Sequence, residues 1–479
     1  MSRETVDNLQ KILDTTLESF LDLVQCDAGS VYTVRKSDKG EEILTFEAMR
    51  TRSINLRGVP EHLRSLQFRI EESSVVGKTA VHRRPILVNL GAGQARVSSS
   101  VNEILSYVTR NMFSGPLVTP RGDLVGVVQL LNKLPQDGTP FEPKDTSPLP
   151  DFDEKDARLF SIISGQAALA IENSLLLDEQ ERLVEGIVNA CVSAIEARDP
   201  VTSGHSVRVS DYSIGLADAV NRTDSGPLGT VFFTPAQLRE LRYASMLHDV
   251  GKIGVREEVL QKEKKLHAHE LEIISMRLRL MRTQLQVLQH SEKKDYADAL
   301  RKIDGAWRRI VDANEPSVLN RTTAELVEDL RSLQVPFDSG EILSALTEEE
   351  SRKLCISKGS LSESERFEIE GHVNKTVDIL KMIPWSKGLE MVPDIASKHH
   401  ESLDGTGYPN RISAESIPPQ ARIMTICDIY DALRASDRPY KPAMSSEKAL
   451  DIIFAQVKAG KLDGHYFDIF VQAKLFAAA

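Results

Sequence analysis

The 479-residue sequence predicts a multidomain protein in which a mixed α and β domain is joined by one long helix to an all-α domain that carries a helical insertion. Three observations carry this reading. Short strand-like runs separated by turns fill residues 1–158, a 3,4 apolar repeat runs from Leu159 to Ala194, and strand signals almost vanish after Arg198. At roughly 150 residues per domain, the length agrees with two or three independent cores.

The first domain opens with a helix that sets Leu9, Leu13, Leu17 and Phe20 at helical spacing. Strand-like runs follow in GSVYTVRK, EEILTFEAM, RPILVNL and GDLVGVVQLLNK, with turns at Gly40, Gly58 and Gly122. A Pro-rich excursion covers residues 135–150, and Phe152, Asp153 and Glu154 then start a long helix with acidic residues in its first turn. Over residues 159–198 that helix carries Ile162, Leu169, Leu176, Leu183 and Ala190 as one seam series and Leu159, Gln166, Asn173, Gln180, Ile187 and Ala194 as the other. Polar residues in one series cost stability but fix register and partner number, so a parallel pair of these helices, and hence a homodimer, is expected.

The all-α domain spans 199–265 and 361–479, with helix starts signalled at Thr234 to Gln237, Thr347 to Glu350 and Ser362 to Glu365. Residues 266–360 stand apart as an insertion. Two heptad-like seams, Leu271 to Leu288 and Leu300 to Ile310, are interrupted near Ser291 to Asp295, which allows a hairpin or one long helix with a stutter. The insertion could cover a site, dock a partner or be decorative.

Composition narrows the chemistry. Lys and Arg number 59 against 70 Asp and Glu, a net charge of -11, which argues against a broad surface for nucleic acid or anionic lipid. Four dispersed cysteines, Cys26, Cys191, Cys355 and Cys427, indicate neither a disulfide framework nor a zinc ribbon. With an acidic amphipathic start and no run approaching 18 uninterrupted apolar residues, the expectation is a cytoplasmic protein that does not enter a membrane.

The second half sets histidines beside acids: His205 in TSGHSVRV, His248 and Asp249 in MLHDVGKIG, His372 in EIEGHVNK, His399 and His400 in KHHESLDGTGYP, and Asp428 in TICDIYDAL. The helix around Asp428 is apolar on most sides, so its carboxylate is expected to be buried, and a buried carboxylate needs a cation. Imidazole and carboxylate without thiolate suit iron, manganese, nickel, cobalt or zinc. Five His and two Asp exceed the needs of one catalytic ion and divide over two ions that share one Asp.

HDVGKIG followed by HHESLDGTGYP resembles the HD-GYP subgroup of the HD phosphohydrolase superfamily, and EARDPVTSGHSVRVS, CDIYDALRASDRPYKPAMS and HYFDIFVQ look like the same family in the same order. The resemblance implies an all-α domain that binds two or three metal ions and hydrolyses cyclic di-GMP. Carried over by position, His205, His248, Asp249 and Asp428 would hold one ion, and Asp249, bridging, with His372, His399 and His400 the other. Iron or manganese is expected first. Lys252 matches the family lysine near the phosphate, and Arg438 and Lys441 match its phosphate-binding pair. Asp249 and Lys252 are thus the expected catalytic residues, and Tyr408 could stack on a guanine or simply pack. Val201 stands where three-ion members have Glu, which favours two ions. Val373 and Thr376 replace the family Pro and Gly after the histidine of EIEGHVNK, and KKLHAHELEIISMR also resembles the segment that leads to this histidine, in which case the insertion begins after that first copy and the chain returns through SLSESERFEIEGH.

GDLVGVVQLLNK and FDEKDARLFSIISGQAALAIENSLLL resemble a GAF sensor domain, implying an antiparallel sheet flanked by helices. Asn132, Lys133, Phe152 and Asp156 match a signature of cyclic-nucleotide-binding GAF domains, while Ala157 replaces its final Glu, so the GAF ligand stays an unknown small molecule. The expected function is metal-dependent opening of cyclic di-GMP to pGpG, and onward to GMP, under GAF control. The alternative is a signalling module that binds a cyclic dinucleotide or a partner without turnover.

Overall fold

A computed structural model describes residues 3–37, 39–54, 66–89, 107–135, 141–142, 149–199, 204–292, 295–316, 321–337, 340–434 and 444–477. The chain divides into two compact units, residues 1–186 and 187–479.

The first unit is built on a six-stranded antiparallel sheet. Its strands are β1 Cys26–Lys36, β2 Glu42–Thr51, β3 Gln67–Arg69, β4 Ile86–Asn89, β5 Asn111–Val118 and β6 Leu124–Lys133, in the order β3-β2-β1-β6-β5-β4. Strand alternation sends successive residues to opposite faces. Val31 and Val128 join Leu13, Leu17 and Phe20 of helix α1, Arg3–Val24, while their neighbours Tyr32 and Val127 join Leu44 and Phe46 under α2, Val75–His82. The first face is closed by Phe160, Ala168 and Ile171 from α3, Glu154–Arg198. Phe20 stacks on Phe160 at 4.5 Å between ring centroids, and each such fully buried side chain contributes roughly 1.5–3 kcal/mol.

Helix α3 carries the connecting segment. Every seam position from Ile162 through Gln166, Leu169, Asn173, Leu176, Gln180, Leu183, Ile187 and Ala190 to Ala194 is exposed, while Ala167, Ile171, Ser174, Val188, Val192 and Ile195 on the other side are buried. By length and composition this is also the one helix among the described residues that could cross a membrane, with an 18-residue window of mean hydropathy 1.3. From Phe160 to Ile171 its other face is core of the first unit.

The second unit is a helical bundle: α4 His205–Asn221, α5 Pro235–Leu247, α6 Glu257–Leu260, α7 Ala268–Glu292, α8 Ala297–Ala313, α9 Arg321–Ser332, α10 Glu348–Leu354, α11 Glu363–Glu370, α12 His372–Lys381, α13 Val392–Ala396, α14 Pro419–Arg434, α15 Ser446–Lys458 and α16 Gly464–Gln472. Helices α5, α10 and α11 begin with capping boxes, Thr234 with Gln237, Thr347 with Glu350 and Ser362 with Glu365. These reciprocal bonds satisfy amides that the helix leaves unpaired. Tyr212 and Tyr430 meet edge to face at 5.4 Å and hold α4 against α14.

Residues 266–355 build a core of their own, in which Ile274, Leu278, Met281 and Leu285 of α7 pack with Ile303, Ala306 and Ile310 of α8. Of the two expectations for this segment, separate helices are found. The purely helical reading is corrected: β7 Gln334–Pro336 pairs antiparallel with β8 Ile342–Ser344. Three-residue strands are too short for a period of two to register in sequence.

Candidate metal centre

Five segments bring seven side chains together. His205 is the first residue of α4, preceded by Gly204 at φ 68°. His248 ends α5, and Asp249 leads into a tight turn, Val250–Gly254. His372 opens α12, His399 and His400 follow α13, and Asp428 lies on α14. All except His400 are buried, and His400 is nearly so. The close fit depends on Gly251, since a Cβ there would meet the His372 carbonyl oxygen at 2.0 Å. Thr376, the departure from the family glycine, bridges the same contact: its hydroxyl donates to the His248 carbonyl at 3.0 Å and accepts from Gly251 N at 2.9 Å.

Asp249 is the centre of the arrangement. Its Oδ1 lies 3.2 Å from His372 Nε2, and its Oδ2 lies 3.4 Å from His248 Nε2 and 2.7 Å from Lys252 Nζ. Asp428 Oδ1 lies 3.1 Å from His205 Nε2 and 3.7 Å from His248 Nε2. Asp249, His372, His399 and His400 can converge on one point, with donor atoms within 4.8 Å of one another, as can His205, His248 and Asp249, and His248, His399 and Asp428. The two carboxylate oxygens of Asp249 therefore face different donor groups.

The histidines are aimed by their other ring nitrogen. His248 Nδ1 donates to the Ser245 carbonyl at 2.7 Å, His399 Nδ1 to the Ala396 carbonyl at 2.7 Å, and His372 Nδ1 to the Ile369 carbonyl. A carbonyl only accepts, so each of these rings carries a proton on Nδ1 and turns its Nε2 into the cluster. His399 Nε2 is buried with no hydrogen-bond partner among the described residues. An orphaned buried acceptor among carboxylates is what a cation would complete, so the donor set fits divalent metal.

Electrostatics agree. Burial, with His400 and His248 as neighbours, holds His399 well below the usual histidine range, and burial takes His400 down to about 4. Burial alone would lower His205 too, but its bonds to Asp428 and Asp431 outweigh that and push it up to about 9. Burial by itself would raise Asp249 and Asp428, yet Lys252 and His248 beside the first, and His205 and His248 beside the second, hold both carboxyls below their ordinary value. The group is thus charged and mutually dependent when no metal is bound.

Lys252 lies between Asp249 and Asp199, 3.8 Å from the latter. Tyr408 packs its ring on His400, 4.6 Å between centroids, and its amide donates to the His400 carbonyl at 3.1 Å. The loop bearing it is held by buried Glu401, which accepts from Asn410 N at 2.7 Å and Ile412 N at 3.2 Å. A Cβ at Gly407 would come within 2.3 Å of Ser402 N, so the turn requires glycine. Arg438, Lys441 and Val201 lie outside the described residues. Sequence reasoning overlooked Asp431 and Arg208, although each stands three residues after a named site residue on the same helix face.

Models of the HD domain match residues 202–325 and 346–466, and a model of the GAF domain matches residues 8–171. A 3'3'-cGAMP-specific phosphodiesterase 1 of Vibrio cholerae is 36% identical over 114 residues, 24% of this chain and 26% of that protein. A 3'3'-cGAMP-specific phosphodiesterase 3 of the same organism is 24% identical over 359 residues, 75% of this chain and 49% of that protein. A cyclic di-GMP phosphodiesterase, also of Vibrio cholerae, is 26% identical over 273 residues, 57% of this chain and 35% of that protein. The chain thus spans half or less of the length of these relatives. With both sets of models matched and a curled antiparallel sheet preceding the helical bundle, the chain joins a GAF domain to a domain of the HD family.

Proposed function

We propose that the chain is a metal-dependent phosphodiesterase that opens a cyclic dinucleotide, with cyclic di-GMP as substrate, linear pGpG as first product and GMP as a further one. The observation that carries this reading is Asp249, whose two oxygens serve two donor groups. His205, His248, Asp249 and Asp428 would hold one divalent ion, and Asp249, His372, His399 and His400 the other; the donors suit iron, manganese, nickel, cobalt or zinc, and the HD-GYP resemblance puts iron or manganese first. Such ions supply Lewis acidity toward water and the phosphodiester oxygens. The chain contributes the rest. Lys252, anchored by Asp249 and Asp199, offers a cation beside the cluster to the non-bridging oxygens, in a role shared with Arg438 and Lys441. Tyr408 packs against His400 and stands beside the cluster where it could meet a base. A protein of net charge -11 with buried carboxylates in its site repels an anion unless metal is bound, so substrate affinity should collapse on chelation.

A second substrate has specific support, because two of the relatives above carry the name 3'3'-cGAMP-specific phosphodiesterase. The decisive experiment loads the purified chain with Mn(II) or Fe(II) under reducing conditions and offers cyclic di-GMP and 3'3'-cGAMP side by side. Linear dinucleotide from the first is expected at the higher rate. Metal-loaded protein that binds either ligand but leaves it intact for hours would turn the reading to a non-hydrolytic signalling module.

The exposed seam of α3 supports a homodimer through this helix, and a cytoplasmic protein whose site is controlled by a small ligand of the GAF domain belongs to the same proposal. Sedimentation of the full chain should give a dimer.

A further inference from the structure

The site histidines are aimed in two different ways. His248, His372 and His399 each use a backbone carbonyl three residues earlier. His205 is aimed differently: it is the first residue of α4, and the residue three before it lies outside the described residues. Its Nδ1 lies instead 2.7 Å from Oδ2 of Asp431, a buried residue one turn after Asp428 on α14. Arg208, one turn after His205, sets Nε 2.7 Å from Asp431 Oδ1 and its terminal nitrogen 3.0 Å from Oδ2. Each helix thus contributes an i, i+3 pair, and His205, Arg208, Asp428 and Asp431 close a square between α4 and α14.

We propose that Asp431, clamped by Arg208, is a positioning residue that does for His205 what a backbone carbonyl does for the other three, turning its Nε2 lone pair toward the ion it shares with His248 and Asp428. The inference rests on the reading of this cluster as a metal centre. Its logic is one of donors and acceptors. His205 and Arg208 both donate, and the carboxylate satisfies them because both of its oxygens accept. An amide has one accepting oxygen and one donating nitrogen, so an asparagine at 431 must set a donor against either Arg208 or His205. If it yields to Arg208, His205 is offered a proton at Nδ1 and presents an N–H to the metal. Removing Arg208 frees the amide oxygen to serve His205 alone.

The test compares Asp431→Asn, Arg208→Met and the double variant of the full chain, each stripped of metal, checked for fold by circular dichroism and titrated with Mn(II) alone. Asp431→Asn is expected to weaken one of the bound ions by about 10–100-fold while sparing the other, the usual scale for losing an outer partner of a ligating histidine. Arg208→Met should weaken the same ion by about 3-fold to 5-fold, and the double variant should bind it more tightly than Asp431→Asn does. Unchanged affinity in Asp431→Asn, or a double variant as weak as the two single losses multiplied, overturns the proposal. Should Asp431→Asn not fold, Arg208→Met decides alone: the unclamped carboxylate can rotate, so an unchanged titration counts against the role. No nucleotide is present in these titrations. A chain that fails to hydrolyse cyclic dinucleotides while showing the expected pattern removes the proposed function and leaves the positioning role in place.

Discussion

Buried polar groups are handled in opposite ways by the two units. In the GAF unit, Asn132 accepts from Arg110 N at 2.8 Å and donates to the Val108 carbonyl at 2.8 Å. Lys133 pairs with Asp156 at 2.6 Å and donates to the Asp151 carbonyl at 3.0 Å, and Asp156 also accepts from Asp153 N at 2.9 Å. The signature residues close on themselves and pin the start of α3 to the last strand of the sheet. In the HD unit the same density of buried polarity is left open, with His399 Nε2 unpartnered among the described residues and two carboxylates facing imidazoles. A motif whose hydrogen bonds are all satisfied internally stabilises a fold, whereas one left incomplete calls for a ligand.

The largest effect expected from this contrast is at Asp249. Asp249→Asn removes the charge shared by both donor groups, so hydrolysis of cyclic di-GMP should fall by about 10³-fold or more, with Mn(II) binding weakened at both positions and helix content retained. Measured turnover within tenfold of the parent would break the comparison. Lys133→Met is the counterpart in the first unit. It strands the buried Asp156 carboxylate and should cost about 3 kcal/mol of that unit's stability by denaturant unfolding, while metal stoichiometry stays as in the parent.

A subtler distinction comes from pH. In metal-free protein His205 titrates near 9, above its ordinary value of 6.5, because Asp428 and Asp431 outweigh burial. A raised folded value means that its contribution to stability is whole below about 6.5 and fades as pH climbs through about 9. The metal-free HD unit should therefore lose stability between these values, by calorimetry, and metal-loaded protein should not. The smallest effect on folding is predicted for the α3 seam. Leu176→Lys combined with Leu183→Lys should convert the proposed dimer to monomer in sedimentation, yet change chain stability by only about 0.5 kcal/mol, since both side chains are exposed within one chain.

Much of this was legible in the sequence. Amphipathic spacing revealed α1, the 3,4 repeat marked the seam of α3, and cap sequences located three helix starts. Adjacent His–Asp and His–His pairs announced a polyvalent site because such residues do not cluster in a core without cause. Less legible were features whose signal is short or distributed. The β7–β8 pair is too brief for periodicity, and Asp431 and Arg208 look like ordinary helix-surface charges until α4 and α14 are brought together. The role of Thr376 was also hidden, since a missing glycine reads as a loss until its hydroxyl is seen bridging His248 and Gly251.

By itself, then, the sequence determined the domain order, the exposed apolar stripe of the long helix and which side chains are candidate donors, because these depend on local periodicity and side-chain chemistry. Only the tertiary structure decided which oxygen of Asp249 faces which histidine, which ring nitrogen of each histidine points inward, and that His205 is aimed by a carboxylate from a helix more than 200 residues away. Those choices depend on contacts between segments remote in sequence, and no local pattern records the partner on the other side.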